Sequence, residues 1–358
     1  MKRSPSGPLQ SDDVVLLVVP CLNEARHIEK VLTTLLRETD KINLRVVVAD
    51  GGSTDGTRAI IERLIGLDNR IVLMDNAKRI QAAGINSAVQ EYGMKARFLI
   101  RVDAHASYPE RYCETLLDVQ ARTEAASVVV SMFTVGNTCF ERAAAAAQNS
   151  LLGNGGSAHR AVTEGGWVEH GHHALMTVDA FKAVGGYDEA FSHNEDAELD
   201  ARLVGHGFNI YLTNEVIVTY YPRGTFLGLF RQYFKIGRGR ARNWLKHRKN
   251  IKLRHLVLVA VAPVLGLSLL SATSKLFAIP ALGWALLCIG YGFVLGLRRR
   301  DPCKCGAGIA AIAMQAGWSF GFFYGLIAAT APALRRIRDP HNNTDPPQGP
   351  ASQLGASV

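Results

Sequence analysis

The chain has 358 residues, enough for one large domain and a second module, and its formal net charge is +9. The charge is uneven: residues 1–223 hold 22 Lys and Arg against 28 Asp and Glu, whereas residues 224–255 hold ten basic residues and no acid. Six cysteines are scattered among apolar residues, and only Cys303 and Cys305 are close together. That spacing excludes a four-cysteine zinc site and favours free thiols in a reducing compartment.

The N-terminal residues 1–12 are polar, with no signal peptide, and are predicted to be disordered. From residue 13, short apolar runs alternate with segments of helical spacing. Strands are predicted at 13–20, 44–50, 70–76, 96–104 and 127–133, and helices at 21–39, 53–66, 80–93 and 109–122, with Asn23 as a cap of the first helix. The alternation predicts an α/β domain over residues 13–225, with a mostly parallel sheet and helices on both faces.

Residues 136–195 are less regular and rich in glycine and histidine. We expect a loop-rich insert here, which is where a second substrate would bind.

Two acids fall at the predicted ends of strands. Asp50 ends the second strand in VVVADGGSTDGT, and Asp103 ends the fourth in RVDAH. Open α/β sheets bind ligands at this edge, and a nucleotide is a usual ligand there. Asp103 and His105 lie two residues apart, so a carboxylate and an imidazole can share a divalent cation, although this pair alone is weak evidence.

Two common nucleotide folds do not fit the sequence. The first strand is followed by PCLNEARH, which has no glycine, so the dinucleotide fingerprint G-x-G-x-x-G is missing. The phosphate-binding sequence G-x-x-x-x-G-K-[ST] is also missing. A dehydrogenase and a P-loop ATPase are therefore disfavoured.

The C-terminal third contains three uncharged, mostly apolar stretches at about 256–274, 276–297 and 306–334. About 20 such residues span a bilayer, so membrane helices are predicted over 256–335. The basic clusters before the first stretch and after the second favour a cytoplasmic N-terminal domain. Three full spans would put RRIR outside, so either one stretch is re-entrant or interfacial or the charge rule is broken. Residues 336–358 are predicted to be a disordered tail.

Several short segments occur in an order that resembles family 2 glycosyltransferases of the GT-A fold. They are VVPCLNE, VVVADGGSTDGT, RVDAH, VGGYDEAF and HNEDAELDARL, within residues 13–245. RVDAHA, NEDAELDARL and QYFKIGRGRAR are most similar to ExoA-type succinoglycan glucosyltransferases. The resemblance implies a UDP-sugar donor, UDP-glucose foremost, and an oligosaccharide acceptor on a polyprenyl diphosphate lipid. It also implies inversion, the cytoplasmic face of the inner membrane, and other exopolysaccharide assembly enzymes as possible partners.

The resemblance assigns the donor site. It implies that Pro20, Asn23, Glu24 and Asp50 hold the uridine. Asp103, with His105 in place of the second acid of D-x-D, would hold Mg²⁺ or Mn²⁺ on the diphosphate, and the imidazole favours Mn²⁺. Asp55 is a further nucleotide candidate, with a helix-start acid as an equal alternative.

The same resemblance places the catalytic base of an inverting transfer at Asp196, with Glu195 orienting nearby groups. An acidic helix start would explain part of the run NEDAELD without any catalytic role.

The basic stretch at 226–255 is predicted to be an amphipathic segment on anionic inner-membrane lipids, because Phe226, Leu229, Phe230 and Tyr233 share a helical face. Nucleic acid is a weaker partner, since apolar stretches follow directly. By resemblance, Gln232, Arg238 and Arg240 lie over the donor diphosphate as binding or gating residues. The spacing Q-x-x-R-W is missing, which disfavours a processive polymerase.

The segment GGWVEHGHHALM predicts an acceptor-sugar pocket in which Trp167 stacks on a pyranose ring and His170 and His172 donate hydrogen bonds. A metal site built from these histidines is disfavoured because the H-E-x-x-H spacing is missing.

Three functions stay open at this stage. The first is a membrane-bound inverting glucosyltransferase in exopolysaccharide assembly. The second is a polyprenyl-phosphate glycosyltransferase, which would accept a bare lipid phosphate. The third is a non-catalytic membrane scaffold, against which Asp50, Asp103 and Asp196 together argue.

Overall fold

The computed structural model describes residues 13–37, 42–155, 165–191, 193–248 and 253–338. Eight strands form one sheet in the order β3-β2-β1-β4-β7-β5-β8-β6. The strands are β1 Val14–Cys21, β2 Leu44–Asp50, β3 Ile71–Asp75, β4 Ala96–Arg101, β5 Ser127–Thr134, β6 Gly166–Val168, β7 His172–Thr177 and β8 Ile210–Tyr220. The first four are parallel to one another, as predicted from their alternation with helices.

The helices are α1 Ile28–Arg37, α2 Thr57–Ile65, α3 Gln81–Tyr92, α4 Tyr112–Thr123, α5 Cys139–Gln148, α6 Leu151–Asn154, α7 Val178–Ala183, α8 Glu195–Gly205, α9 Phe226–His247, α10 Leu253–Ser268, α11 Ile279–Arg298 and α12 Ala307–Arg338. The run Val15–Val19 is fully buried because one apolar cluster covers each face of the sheet. Burial on both faces explains why these strands are continuous apolar runs.

The first helix begins later than the sequence predicted. Asn23 lies in the left-handed region (φ 58°) within a loop, and its side chain accepts a hydrogen bond from the Thr54 amide instead of capping α1. Helix α1 starts at Ile28, so the prediction for Asn23 as its cap is wrong. The loop instead joins the end of β1 to the end of β2.

The expectation of a loop-rich insert at 136–195 is wrong for much of this stretch. It supplies α5, α7 and the strand β7, which lies antiparallel between β4 and β5 near the middle of the sheet. Residues 156–164 and 192 of the same stretch lie outside the described residues. Strand β7 brings the histidines of GHHALM directly into the core of the domain.

Three C-terminal segments are long and apolar enough to cross a membrane: His255–Ala272, Lys275–Arg298 and Pro302–Ala329. Helix α12 extends through Arg338, so the first three residues of the tail predicted from residue 336 are helical. Residues 339–358 and the N-terminal residues 1–12, both predicted to be disordered, lie outside the described residues. The third apolar segment differs from the others because 67% of it is buried within the protein, against 11% of each of the first two.

Helix α12 packs along α9 at backbone distance. A Cβ atom at Gly317 would lie 2.5 Å from the carbonyl oxygen of Phe230, and one at Gly321 would lie 1.9 Å from that of Phe234. Small residues four apart allow this approach, as in other closely packed apolar helices. The amphipathic face predicted for the segment from 226 therefore meets α12, and Leu229 is fully buried in that contact.

The turn between α11 and α12 is attached to the sheet domain. Cys303 forms a disulfide with Cys139 of α5, with Cα atoms 4.9 Å apart, and Asp301 pairs with Arg142 at 2.6 Å. The expectation of six free thiols is wrong for this pair, because a sequence separation of 164 positions hides the proximity of the two cysteines. Four cysteines form no disulfide, namely Cys21, Cys113, Cys288 and Cys305.

Candidate active site

A cavity of about 500 Å³ opens at the carboxyl ends of β1 and β4, and we call it the catalytic cavity. This is the edge at which parallel strands of an open sheet present ligand-binding side chains. Nine of the residues singled out from the sequence line it: Pro20, Glu24, Asp103, His105, His170, His172, Glu195, Asp196 and Gln232. The structure thus brings together residues that are up to 212 positions apart in the chain.

Arg101 is the charge around which the acids of the catalytic cavity are arranged. Its guanidinium, 4% exposed, pairs with Asp196, lies 3.5 Å from Asp103 and lies 3.4 Å from Glu195. Arg101 and Asp103 share one side of an extended segment because side chains alternate along it. Burial would lower the pKa of Arg101, but Asp196 and the other acids raise it well above its usual value. The arginine therefore remains charged although it is buried.

The two acids that open α8 differ in their electrostatics. Burial would raise the pKa of Asp196, but Arg101 and His173 lower it below its ordinary value, so this carboxylate is ionised at neutral pH. Burial raises the pKa of Glu195, and the neighbouring charge of Asp196 adds to the rise. The pair thus offers one permanent carboxylate and one carboxyl group that titrates at higher pH.

Histidines from the segment before and within β7 connect the two sides of the catalytic cavity. His172 lies 3.6 Å from Asp103 and 3.7 Å from Asp196, and burial lowers its pKa. His173 lies one residue further along the strand and binds Asp200 at 2.8 Å. His170 binds the same carboxylate at 2.7 Å. Asp200 therefore fixes His170 and His173, the first and last histidines of the segment HGHH.

Asp200 and Glu198 do not behave as the solvated acids of a helix start. Burial would raise the pKa of Asp200, but His173 and His170 lower it to about 2. Glu198 is fully buried and accepts hydrogen bonds from Arg202, Lys246 and His247. The alternative of an acidic helix start therefore does not explain the inner acids of this run.

A divalent cation fits the residues around Asp103. Asp103, His105 and Glu24 line the same cavity and offer two carboxylates and an imidazole. His105 contacts Glu24 at 3.1 Å, and Asp103 accepts a hydrogen bond from Gln81 at 2.6 Å. Within the described residues, no three side chains of the usual ligand types converge on one point. A cation held partly by substrate phosphates needs only one or two protein carboxylates, which this wall supplies.

The loop after β2 is organised by Asp50. Its side chain is fully buried and accepts hydrogen bonds from Gly52, Ser53 and, at 2.8 Å, Arg58. Gly52 has φ +83°, a conformation that disfavours side chains, so glycine is needed at this turn. Asp50 is not among the residues that line the catalytic cavity. Its carboxylate shapes the loop, which differs from the predicted direct contact with uridine.

Asp55 and Asn23 complete this loop rather than lining the catalytic cavity. Asp55 accepts hydrogen bonds from the amides of Ala25 and Thr57 at 3.1 Å each. These contacts fit the alternative role of Asp55, an acid that accepts hydrogen bonds from free amides at a helix start, better than a contact with the nucleotide. The Asn23 amide donates to Ser53, which ties the β1 loop to the β2 loop.

The three residues predicted to lie over the donor diphosphate face different spaces. Gln232 lines the catalytic cavity and donates a hydrogen bond to the Tyr220 hydroxyl at 2.6 Å. Arg238 and Arg240 line two other cavities, on either side of α9. Residues two apart on a helix point about 200° apart, which explains the divergence. The structure thus brings only Gln232 to the predicted place.

Trp167 does not lie at the catalytic cavity either. It is 58% exposed on the edge strand β6, opposite Tyr211 at the start of β8, whereas Tyr220 at the other end of β8 lines the cavity. The predicted acceptor pocket therefore retains His170 and His172 but loses Trp167. Strand β6 pairs with the start of β8, far from the cavity, and the spacing of GGWVEHGHH could not predict this pairing.

Sequence reasoning missed four residues that hold the site together: Gln81, Arg101, Tyr187 and Asp200. Arg101 is an arginine in the apolar strand ARFLIR, and a charge inside such a strand is a usable signal. Tyr187 accepts a hydrogen bond from Arg101 and contacts His173 at 2.6 Å. Gln81 and Tyr187 carry no comparable signal, because their roles depend on contacts across the fold.

Comparison of the sequence with known proteins identifies the family of this chain. The family "Glycosyl transferase family 2" matches residues 16–185. The succinoglycan biosynthesis protein ExoA of Rhizobium meliloti is 52% identical over 312 residues, covering 87% of this chain and 94% of that protein. The chain belongs to glycosyltransferase family 2. The matched residues include β1 to β4 and the Asp103 side of the catalytic cavity, and they end before Asp196.

Two more distant proteins are also similar, one in sequence and one in structure. A dolichyl N-acetyl-α-D-glucosaminyl phosphate 3-β-D-2,3-diacetamido-2,3-dideoxy-β-D-glucuronosyltransferase of Methanococcus voltae is 24% identical, over 62% of this chain and 71% of that protein. A mannosyltransferase from Pyrobaculum calidifontis, solved with GDP-mannose and Mn²⁺, superposes with a TM-score of 0.54 at 20% identity, over 85% of this chain and 87% of that one. This family 2 protein therefore has the GT-A fold.

Proposed function

We propose that this family 2 glycosyltransferase is an inverting, membrane-bound enzyme that transfers a sugar from a UDP-sugar, UDP-glucose foremost, to a lipid-linked oligosaccharide. The proposal rests mainly on one observation. A single cavity has Asp103 on one side and Asp196 and Glu195 on the other, with His172 between Asp103 and Asp196. Inversion needs one base opposite the leaving group, and the ionised Asp196 of this cavity is our candidate for that base. The proposed product extends a succinoglycan-like exopolysaccharide at the cytoplasmic face of the inner membrane.

The names of the relatives support the substrate classes. The 52% identical relative is a succinoglycan biosynthesis protein, and the archaeal relative is named for a sugar acceptor on dolichyl phosphate. Both names fit a lipid-linked acceptor, and the three apolar C-terminal helices would keep the enzyme where such lipids reside.

In the proposed mechanism, the loop between Pro20 and Glu24 holds the nucleoside end of the donor and Asp103 faces its diphosphate. A divalent cation, when bound at Asp103 and His105, neutralises charge on the leaving nucleotide. Asp196 accepts the proton of the attacking acceptor hydroxyl as the new glycosidic bond forms. Arg101 keeps Asp196 ionised and in place, and His172 orients it.

The test is nucleotide release from membranes that contain the protein, lipid-linked acceptor extract and Mg²⁺ or Mn²⁺. UDP-glucose, UDP-galactose, UDP-N-acetylglucosamine and GDP-mannose are supplied separately. We expect turnover with one UDP-sugar, reduced about 10²- to 10⁴-fold in Asp196→Asn. Glu110→Gln, an exposed acid, is the matched control and should keep full activity.

Three results would count against the proposal. Turnover with GDP-mannose alone would overturn the UDP donor. Full activity of Asp196→Asn, with loss in Glu195→Gln, would move the base to Glu195. If the folded protein turned over no donor in an acceptor-rich extract, the non-catalytic scaffold would become the favoured function.

A further inference from the structure

A second cavity of about 530 Å³ adjoins the catalytic cavity at His193, which lines both. Lys235, Arg238 and Arg242 come from α9, and we call this space the basic cavity. The three cations share a face of the helix because they are three and four positions apart. Its opposite wall comes from the second half of α12 and consists of Tyr324, Gly325, Ala328 and Ala329.

The basic cavity gathers positive charge without a counter-charge from the described residues. Among the described residues, no acid lines it and no carboxylate lies within 4 Å of its three cations. Lys246, one turn beyond Arg242, is different because it pairs with Asp188 at 2.6 Å and Glu198 at 2.7 Å. A cavity with several cations of one sign attracts an anionic ligand.

Further observations indicate that an arginine of the basic cavity is held in place and that the cavity is positively charged. Arg242 donates a hydrogen bond to the carbonyl oxygen of Ala190 and lies 5.5 Å from the centre of the Phe191 ring, which fixes its position. Burial lowers the pKa of His193 to about 4, and the charges of Lys235 and Arg238 add to the shift. His193 is therefore neutral, and the space beside it already holds enough positive charge to disfavour another cation.

We propose that the basic cavity binds the diphosphate of the lipid that carries the acceptor sugar. This inference rests on the proposed function for its lipid-linked acceptor. Arginine binds phosphate oxygens through paired hydrogen bonds, and the α12 wall offers apolar surface to the first part of a lipid chain. The donor diphosphate has its own place near Asp103, in the other cavity.

His193 lies at the boundary between the basic cavity and the catalytic cavity. His193 borders both cavities, and Asp196 follows three residues later at the start of α8. A sugar attached to a diphosphate in the basic cavity would thus reach the catalytic cavity directly. The acceptor class that fits is a lipid diphosphate bearing a short glycan.

The test measures equilibrium binding of farnesyl diphosphate to the purified full-length protein in detergent. We expect Arg238→Gln and Arg242→Gln each to weaken binding about tenfold, since each removes one charged phosphate ligand. Arg231→Gln is the matched control, because Arg231 is an exposed arginine on the same helix outside the basic cavity, and it should change the Kd less than about twofold. All three side chains are exposed, so folding is preserved.

Separate arms distinguish other phosphate sources. Displacement of farnesyl diphosphate by UDP-glucose, or a raised donor KM in Arg238→Gln, would assign the arginine to the donor and overturn the inference. If Arg231→Gln weakened binding of farnesyl diphosphate as much as the other two variants, and all three weakened binding to phosphatidylglycerol vesicles equally, the arginines would form a general membrane-binding surface. That result would also overturn the inference. Failure of the wild-type protein to bind the probe overturns the inference alone, because nucleotide release tests the proposed function independently.

Discussion

Arg101 determines how single residues of the catalytic cavity are charged. A buried arginine that stays protonated favours ionised carboxylates at Asp103 and Asp196. Burial would raise the pKa of Asp103, but Arg101 and the neighbouring histidines lower it to about 2. For both acids the lowered pKa means that the charged form is fully present at neutral pH. Removal of either acid's charge requires a substitution rather than a modest change of pH.

His105 is the residue that should set the metal preference. Mn²⁺ accepts an imidazole ligand more readily than the harder Mg²⁺ does, whereas a second carboxylate suits Mg²⁺. We expect His105→Asp to remain active and to raise the ratio of activity in Mg²⁺ to activity in Mn²⁺ on the order of fivefold. The ratio is measured by nucleotide release after removal of metal with a chelator and addition of each cation.

His206→Asp serves as the control, since His206 is exposed at the end of α8 and does not line the catalytic cavity. It should leave the metal ratio unchanged. An unchanged ratio in His105→Asp as well would show that His105 does not contact the cation.

At the scale of elements, the contact between α9 and α12 positions one wall of the catalytic cavity. Gln232, in the second turn of α9, reaches that cavity, while glycines of α12 hold the opposite face of the helix. Asn194 adds a second tie, donating a hydrogen bond from its side chain to the carbonyl oxygen of Ile236 at 2.6 Å. A shift of α12 should therefore be transmitted to the site.

Gly321→Ala tests this contact. The added Cβ would lie 1.9 Å from the Phe234 carbonyl oxygen, so the two helices must separate. We expect a destabilisation of about 1–3 kcal/mol, seen as a lower Tm of the purified protein in detergent, together with reduced nucleotide release.

The matched control is Gly283→Ala in α11, where an added Cβ meets no atom within 4 Å. Alanine is favoured over glycine in a helix by about 0.5–1 kcal/mol, so its Tm should stay equal or rise slightly. Equal Tm values for Gly321→Ala and the wild-type protein would contradict the close contact.

The elements also show what the sequence could reveal. Strands β1 to β5 and helices α2 to α4 were predicted near their observed bounds, because strands buried on both faces are continuous apolar runs and the helices show helical spacing. Helix α1 begins only at Ile28, well after its predicted start at residue 21. Strand β7 was missed because its first residues, His172 and His173, are polar. His173 is buried against Asp200 of α8, and His172 is half-buried beside Asp103, which follows β4. The acids at strand ends were predictable from position, whereas Arg101 and Asp200 depend on contacts that only the folded chain brings about.

At the scale of the whole molecule, the C-terminal helices argue for two membrane spans rather than three. Helices α10 and α11 are mostly exposed, whereas α12 is largely buried against α9 and α5. The turn before α12 is held to α5 by the disulfide at Cys303 and the ion pair at Asp301. We therefore propose that the hairpin of α10 and α11 begins and ends on the side of the sheet domain, a topology that would remove the conflict over RRIR.

Single cysteines test this topology in intact spheroplasts, with a membrane-impermeant maleimide and a background in which Cys305 is replaced by serine. Thr273→Cys, between α10 and α11, should be labelled from outside. Arg338→Cys, at the end of α12, should be labelled only after permeabilisation, because α12 returns along α9 instead of crossing. Arg300→Cys, in the turn held to α5, is the internal control and should behave like Arg338→Cys. Labelling of Arg338→Cys from outside would establish three spans and require α12 to leave α9 in the membrane.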